Sequence, residues 1–307
     1  MKRFLALSRT THGILDLATP AFFALLWAGH FPSWQIIVLG SVTAFAGYTA
    51  IYALNDLVGV RVDQEKYAAG GINAGYSVEA SDLRYPLARG LLPWRSGLAW
   101  FLAWYVAALV GSWFLNPVIV IIVLAAAGFE VLYCRLFKVT YLRTLVSGLV
   151  KASGPIAAVF AVNAHPLPSL LLLQLAWLML WEIGGQNIPA DWNDVEEDRR
   201  VHARTVPLVF GPRKAGLIVV ISLALAVCAS LLVPLLYPIS LGWVYLPASL
   251  VAGYFLLLQP GLTLYRTGES RQAARLFDRA SFYPLVQLCV MGIIILVADL
   301  PRWFHGT

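Results

Sequence analysis

Residues 35–63 read QIIVLGSVTAFAGYTAIYALNDLVGVRVD. From Gln35 to about Asn55 the stretch carries no charge, and its length matches the roughly 20 residues a helix needs to cross the hydrocarbon core of a bilayer. It then ends in two carboxylates, Asp56 and Asp63. If the helix continues, both lie on one face, because side chains three, four and seven apart stack along one stripe. A membrane span that finishes in an acidic stripe is therefore the unit from which the rest of the chain is read.

Eight further apolar stretches of similar length, at about 14–30, 96–115, 117–134, 143–163, 168–188, 214–236, 241–259 and 281–299, bring the expected spans to nine. Gly and Pro inside them, as at Gly154-Pro155 and Pro247, are tolerated better in membrane helices than in soluble ones. Asp16 and Pro20 interrupt the first stretch, which also lacks a clean cleavage site, so it reads as a span and not as a signal peptide. The composition agrees. Sixty per cent hydrophobic and 12% charged residues across 307 positions, with a mean hydropathy of +0.74, exclude disorder and argue against a cytoplasmic enzyme. The expected fold class is all-α, a polytopic membrane protein with a single domain over 1–307. Cys134, Cys228 and Cys289 lie far apart in apolar surroundings and read as buried small hydrophobes, not as a metal pair or a disulfide.

The net charge of +6 is explained by where the charges fall. Loops after the second, fourth, sixth and eighth spans carry the basic residues, Arg61, Lys66, Arg84, Arg89, Arg95, Arg135, Lys138 and Arg199 among them. The loops between, such as His30-Phe31-Pro32-Ser33 and Leu115-Asn116-Pro117, carry no lysine or arginine. The positive-inside rule then puts the N-terminus and the acidic motifs at the cytoplasmic side and the C-terminus outside. No basic groove interleaved with aromatics is visible, so no nucleic-acid partner is expected. Two cytoplasmic connections, about 56–95 and 189–213, are longer than linking requires, and neither forms an independent soluble domain. Within the first, Ala68-Ala69-Gly70-Gly71-Ile72-Asn73-Ala74-Gly75 reads as a turn-rich break, with a short polar helix starting near Ser81.

The geometry of Asp56 and Asp63 recurs at the end of the sixth span, where Asp191, Asp194 and Asp198 stand at offsets 0, 3 and 7. Two facing acidic stripes in an apolar protein repel one another and are costly to desolvate unless something positive lies between them. Magnesium suits the position, as a hard ion shared between one or two carboxylates and the phosphates of a substrate. The expectation is Mg²⁺ bound by all five aspartates, holding a phosphate-rich substrate at the membrane surface and stabilising its diphosphate as it leaves.

The paired motifs, Asn55-Asp56 with Asp63 and Asp191 with Asp194 and Asp198, resemble those of the UbiA superfamily of intramembrane prenyltransferases. The resemblance covers nearly the whole chain. It implies nine helices around a central cavity, Mg²⁺, an isoprenyl diphosphate donor, and transfer of the prenyl group to an acceptor that is usually aromatic. Gly59 stands where the family has a middle aspartate, which removes one ligand or hydrogen-bond acceptor on that side. Arg84-Tyr85-Pro86-Leu87-Ala88-Arg89-Gly90 resembles the family's Arg-Pro-x-x-x-Gly segment with the arginine one place early. Tyr133-Cys134-Arg135-Leu136-Phe137-Lys138-Val139-Thr140 resembles its Tyr-x-x-x-x-Lys stretch.

Around the diphosphate the expected partners are therefore Asn55, Arg84, Arg135, Lys138, Asn187, Arg199 and Arg204, with Arg200 a further candidate. Lys138 leads among them, as a mobile point charge supported by its spacing and by the resemblance. Asn187 shares a face with Asp191, four residues on. Lys151, inside the fifth apolar stretch, must snorkel, pair or face a polar cavity, and Glu130 or Glu182 are expected to pair with it or with Arg135, or to help polarise an acceptor hydroxyl. Tyr48 and Tyr52 form a stripe below Asp56 that either packs in the core or stabilises a developing allylic cation. A transporter of a prenylated or phosphorylated lipid and a non-catalytic member of the same fold are the competing readings. The acceptor stays open: an aromatic ring leads, with a sugar phosphate or a glycerol phosphate lipid as alternatives.

Overall fold

The computed structural model describes residues 1–69, 83–236 and 242–305. Most of the expected break at Ala68–Gly75 and the start of the polar helix near Ser81 lie outside them. Every regular element among the described residues is helical. Two short helices, α1 (Lys2–Leu7) and α2 (Thr10–Asp16), precede α3 (Ala18–Ala28), α4 (Trp34–Ala68), α5 (Trp94–Leu115), α6 (Pro117–Arg135) and α7 (Arg143–Val162). In the second half, α8 (Pro168–Trp181) runs through a π-helical turn at Glu182–Asn187 into α9 (Ile188–Asn193), followed by α10 (Val195–Arg200) and α11 (Val206–Leu236). The chain closes with α12 (Gly242–Gly253), α13 (Gln259–Thr267) and α14 (Ser270–His305).

Eight helical segments among the described residues are long and apolar enough to cross a membrane, the first Trp34–Ala68 and the last Ser270–Ala298. The expected ninth, at about 14–30, is instead the end of α2 and the 11-residue α3, separated at Leu17. Leu17 itself keeps right-handed helical angles, φ −58° and ψ −23°, so α2 and α3 follow one another with only a tightened turn between them. Asp16, at that turn, directs its carboxylate inward to Lys151. Large apolar side chains on the outer surface, Trp113, Phe114, Ile121, Leu172 and Ile293 among them, are more than half exposed. In water such a surface would aggregate; against lipid it is the expected exterior. The chain is an all-α, multi-spanning integral membrane protein. Cys228 and Cys289 also lie on exposed positions and Cys134 is half-buried, so none of the three is the buried core residue that its apolar context suggested.

The two halves of the chain use their apolar faces differently. Phe22, Phe23, Trp177, Trp181, Leu223, Tyr245, Leu264 and Met291 build the main core from α3, α8 and α11–α14. Helices α4–α7 contribute little to it and instead wall a cavity of about 460 Å³, lined along α4 from Ile36 to Asn55 and along α7 from Ser147 to Val162. Small residues on those faces, including Gly40, Ala44, Gly47, Gly154, Ala158 and Ala161, leave the volume open. Helix α11 changes direction at Gly211, whose φ of 74° is open to glycine and strained for other residues, and Pro212 restarts the helix beyond it.

The π-helical turn fits where it does because Gly184 and Gly185 let neighbouring helices approach. A Cβ on Gly184 would stand 3.0 Å from the Val219 carbonyl oxygen and from the Ser222 and Leu223 side chains. Gly184→Ala is therefore expected to destabilise the protein by about 1–3 kcal/mol through overpacking, read as a lowered thermal midpoint in detergent.

Candidate active site

Asp56 and Asp63 stand on the last turns of α4, Asp191 on α9, and Asp194 and Asp198 at the cap and first turns of α10. Lys66, three residues beyond Asp63 on α4, forms an ion pair with Asp198 Oδ1 at 2.6 Å, so the end of the first motif helix lies directly against the second motif. Asp63 is within electrostatic reach of Lys66, Arg9, Arg84 and Asp194. The five aspartates thus gather at one end of the bundle, over the mouth of the cavity, where Arg9, Asn55 and Asn187 belong to its lining.

Four cations hold this group together. Arg9, at the junction of α1 and α2, reaches Asp56 Oδ1 at 3.5 Å and donates to Asn55 Oδ1 at 3.3 Å. Arg84 donates through Nη2 to Asp194 Oδ2 at 2.5 Å, with Nη1 at 3.4 Å from Oδ1. Arg143, at the start of α7, donates to Asp191, and Lys66 takes Asp198. Four of the five carboxylates each have a cation as ion-pair partner, and the fifth, Asp63, has none at that range among the described residues, so the group keeps a desolvation cost that its partners offset only in part. Burial pushes the Asp194 carboxyl up, but Arg84 and Lys66 outweigh it and hold the group below the usual carboxylate range. Asp198 is raised by burial, with the Asp194 charge reinforcing the shift and Lys66 opposing it.

Aromatic rings back the cations. The Arg143 guanidinium lies 4.4 Å from the Tyr133 ring centroid and 4.6 Å from that of Phe137, and Lys66 Nζ lies 4.8 Å from Phe137. Tyr133, in the last turn of α6, and Phe137, in the turn that follows the helix, both face Arg143. Arg135 and Lys138 point elsewhere. Arg135 is exposed, and Lys138, 38% exposed, pairs with Glu65 and not with any aspartate. Arg199 is exposed and bonded to Glu196, Arg200 donates to the carbonyls of Glu196 and Ala69, and the exposed Arg204 contributes its backbone N–H to the Phe137 carbonyl. Of the basic residues expected to grip the diphosphate, the structure brings only Arg84 to the aspartates. It adds Arg9, Lys66 and Arg143, which sequence reasoning did not select. The clue for Lys66 was its i,i+3 spacing from Asp63.

Asn55 and Asn187 mark the boundary between the charged end and the cavity. Asn55 donates to Glu130 Oε1 at 2.5 Å, so Glu130 does not pair with Lys151 or Arg135 as expected. Asn187 donates to the Tyr133 hydroxyl at 3.0 Å and leaves its own carbonyl oxygen buried without a hydrogen-bond partner. Glu182 accepts from Ser147 at 2.7 Å. Lys151 reaches both oxygens of Asp16 at 2.7 Å.

The donor set suits a hard divalent ion. Asp191 gives one oxygen to Arg143 and keeps Oδ2 buried with no hydrogen-bond partner, a cost that a cation would relieve. Among the described residues no three His, Cys, Asp or Glu side chains converge into a ready-made cage. An ion here would take one or two carboxylates and complete its shell with water and ligand oxygens, the coordination habit of Mg²⁺. Gly59 leaves open space in which Asp63 Oδ2, 3.3 Å from an added Cβ, is the nearest group.

Comparison with known proteins agrees with this architecture. The chain is 28% identical over 237 residues to the digeranylgeranylglyceryl phosphate synthase of Pyrococcus abyssi, covering 76% of this chain and 82% of the relative. It is 25% identical over 301 residues to the protoheme IX farnesyltransferase of Mycolicibacterium paratuberculosis, covering 92% and 91%. Its fold matches that of a UbiA homolog from Archaeoglobus fulgidus, solved bound to DMAPP and Mg²⁺, with a TM-score of 0.70 at 17% identity over 96% of this chain and 99% of that one. The model of the UbiA prenyltransferase family matches residues 17–283, so that is the family to which this chain belongs.

Proposed function

We propose that the protein transfers a prenyl group from an isoprenyl diphosphate, with Mg²⁺, to the hydroxyl of a glycerol phosphate lipid, releasing diphosphate. The observation that carries the reading is the group of five aspartates and four cations at the mouth of an apolar cavity. The Archaeoglobus fulgidus homolog, bound to DMAPP and Mg²⁺, supports the donor and the ion. The Pyrococcus abyssi synthase supports a glycerol phosphate acceptor over the aromatic one expected from the sequence, and the haem farnesyltransferase adds no support for a simple phenol. The basic loops support placing the aspartate end at the cytoplasmic face.

Asp56, Asp63, Asp191, Asp194 and Asp198 would hold Mg²⁺, which when bound neutralises the diphosphate and eases its departure. Arg9, Arg84 and Arg143 present planar forks that can exchange a carboxylate for two phosphate oxygens, and Lys66 adds a point charge beside them. Their aspartate partners hold these donors at the charged end, so the leaving-group charge is met by exchange of ion-pair partners over short distances. Asn55 and Asn187 orient the head at the cavity mouth. The walls of α4–α7 take the tail and keep water from the reacting carbon, where hydrolysis would compete. The test is to incubate the purified protein in detergent with Mg²⁺, a panel of prenyl diphosphates, and either a mono-prenylated glycerol phosphate or an aromatic acceptor, identifying products by mass spectrometry. An ether-linked glycerol phosphate lipid is expected. Prenylated aromatic product alone would overturn the acceptor class, and no diphosphate release with any acceptor would overturn the reaction.

A further inference from the structure

One turn below Asp56 the cavity meets a second polar group, separate from the aspartates. The Tyr52 hydroxyl donates to Asp16 Oδ2 at 2.5 Å, while Lys151 Nζ bonds both Asp16 oxygens at 2.7 Å and stands 3.3 Å from the Tyr52 oxygen. His12, its ring stacked on Phe277 and edge-on to Tyr52, places Nε2 3.6 Å from Asp16 Oδ1. Tyr52, Lys151 and His12 line the cavity; Asp16, 4% exposed, lies behind them.

A prenyl tail requires only apolar walls. Burying an ion pair at this depth costs several kcal/mol per ion before pairing, which well-packed apolar side chains would avoid. The position is informative. Tyr52 is four residues, about 6 Å, below Asp56 on the same helix face, the level at which the first carbon of a diphosphate held by the aspartates would lie. Lys151 is on the α7 face of Arg143 and Ser147, two turns further in, with a side chain long enough to reach back. The acceptor oxygen must arrive at this same level to attack that carbon, and it must lose a proton. Four of the aspartates are poorly placed to take it, being ion-paired to Arg9, Lys66, Arg84 and Arg143, and the fifth, Asp63, stands eleven residues, about three helical turns, from Tyr52.

Building on the prenyl-transfer reading above, we propose that Tyr52, backed by Asp16, accepts the proton of the acceptor's hydroxyl, with Lys151 positioning the pair. The hydroxyl oxygen forms a bond to the prenyl C1 as the C1–O bond to diphosphate breaks, its electron pair leaving with diphosphate. The hydroxyl proton passes to Tyr52, whose own proton passes to Asp16 Oδ2, and Asp16 returns it to water when product leaves. Tyr52 is the catalytic residue; Asp16 and Lys151 act through it. With Asp16 and Glu182 as carboxylates against one lysine, this level of the cavity suits a neutral alcohol and disfavours a second anion. Any phosphate on the acceptor then stays at the mouth, beside Arg9.

The experiment uses the full chain in detergent with geranylgeranyl diphosphate, Mg²⁺ and a glycerol phosphate lipid bearing one free hydroxyl. Tyr52→Phe and Asp16→Asn are expected to lower kcat for transfer by about 100-fold, the usual contribution of a positioned proton acceptor, with the calorimetric Kd for the Mg²⁺-bound donor unchanged within about threefold. Asp16→Glu should recover at least about tenfold over Asp16→Asn, which a purely structural role would not give. Tyr52→Phe removes a single oxygen and decides the matter if Asp16→Asn does not fold. Transfer by Tyr52→Phe within about threefold of wild type, or a parallel loss of donor binding, overturns the proton-transfer role while leaving the prenyl-transfer reading intact. Wild-type protein that binds no donor overturns both.

Discussion

Asp56→Asn is expected to lower Mg²⁺-dependent turnover by about 100- to 1,000-fold, equivalent to roughly 3–4 kcal/mol of transition-state stabilisation. The substitution keeps the size of a side chain that is 3% exposed, so its effect is one of charge. It removes an anionic oxygen that stands 3.5 Å from Arg9 and would serve the ion, while the Asn55 Oδ1 and the Tyr52 ring stay beside Arg9. A magnesium titration of the rate should move to higher concentration in the variant, while its thermal midpoint in detergent changes little. An unchanged rate at saturating donor would remove Asp56 from the site.

Arg143→Met is expected to lower stability as well as donor binding, and the stability effect is the one that reports on the metal. In the wild type Asp191 has the Arg143 guanidinium on one oxygen and no hydrogen-bond partner on the other. Methionine fills similar space between the Tyr133 and Phe137 rings but leaves the carboxylate buried with its nearest cation gone, at a cost of about 3–5 kcal/mol. The signature is the response to metal. Millimolar MgCl₂ should raise the thermal midpoint of Arg143→Met more than that of wild type, because the ion takes over the neutralisation of Asp191. Equal shifts in both proteins would mean that Asp191 does not meet the metal.

How much of this was legible beforehand follows from the range of each interaction. The aspartates could be found because offsets of three, four and seven on one helix are local geometry, and the spans because apolar length is a local property. The counter-charges could not. Arg143 meets Asp191 across 48 residues and Arg84 meets Asp194 across 110, pairings settled by how helices pack. Family resemblance drew attention to Lys138, whereas in the structure Tyr133 and Phe137 face Arg143 and Lys138 turns out to Glu65. Asp16 in the first stretch shows the same limit. Asp16 read as an interruption in an apolar run, when its partner Lys151 lay 135 residues away.

One helix, α8 through α9, has two duties that call for different rotational phases. Its first part seats Trp177 and Trp181 in the main core, and its last part must aim Asn187 and Asp191 at the charged end. A uniform α-helix would carry the orientation of the tryptophans forward at a fixed angle per residue. The wide turn at Glu182–Asn187 acts as a phase shifter, letting the anchoring face and the chemical face be set independently on a single rod.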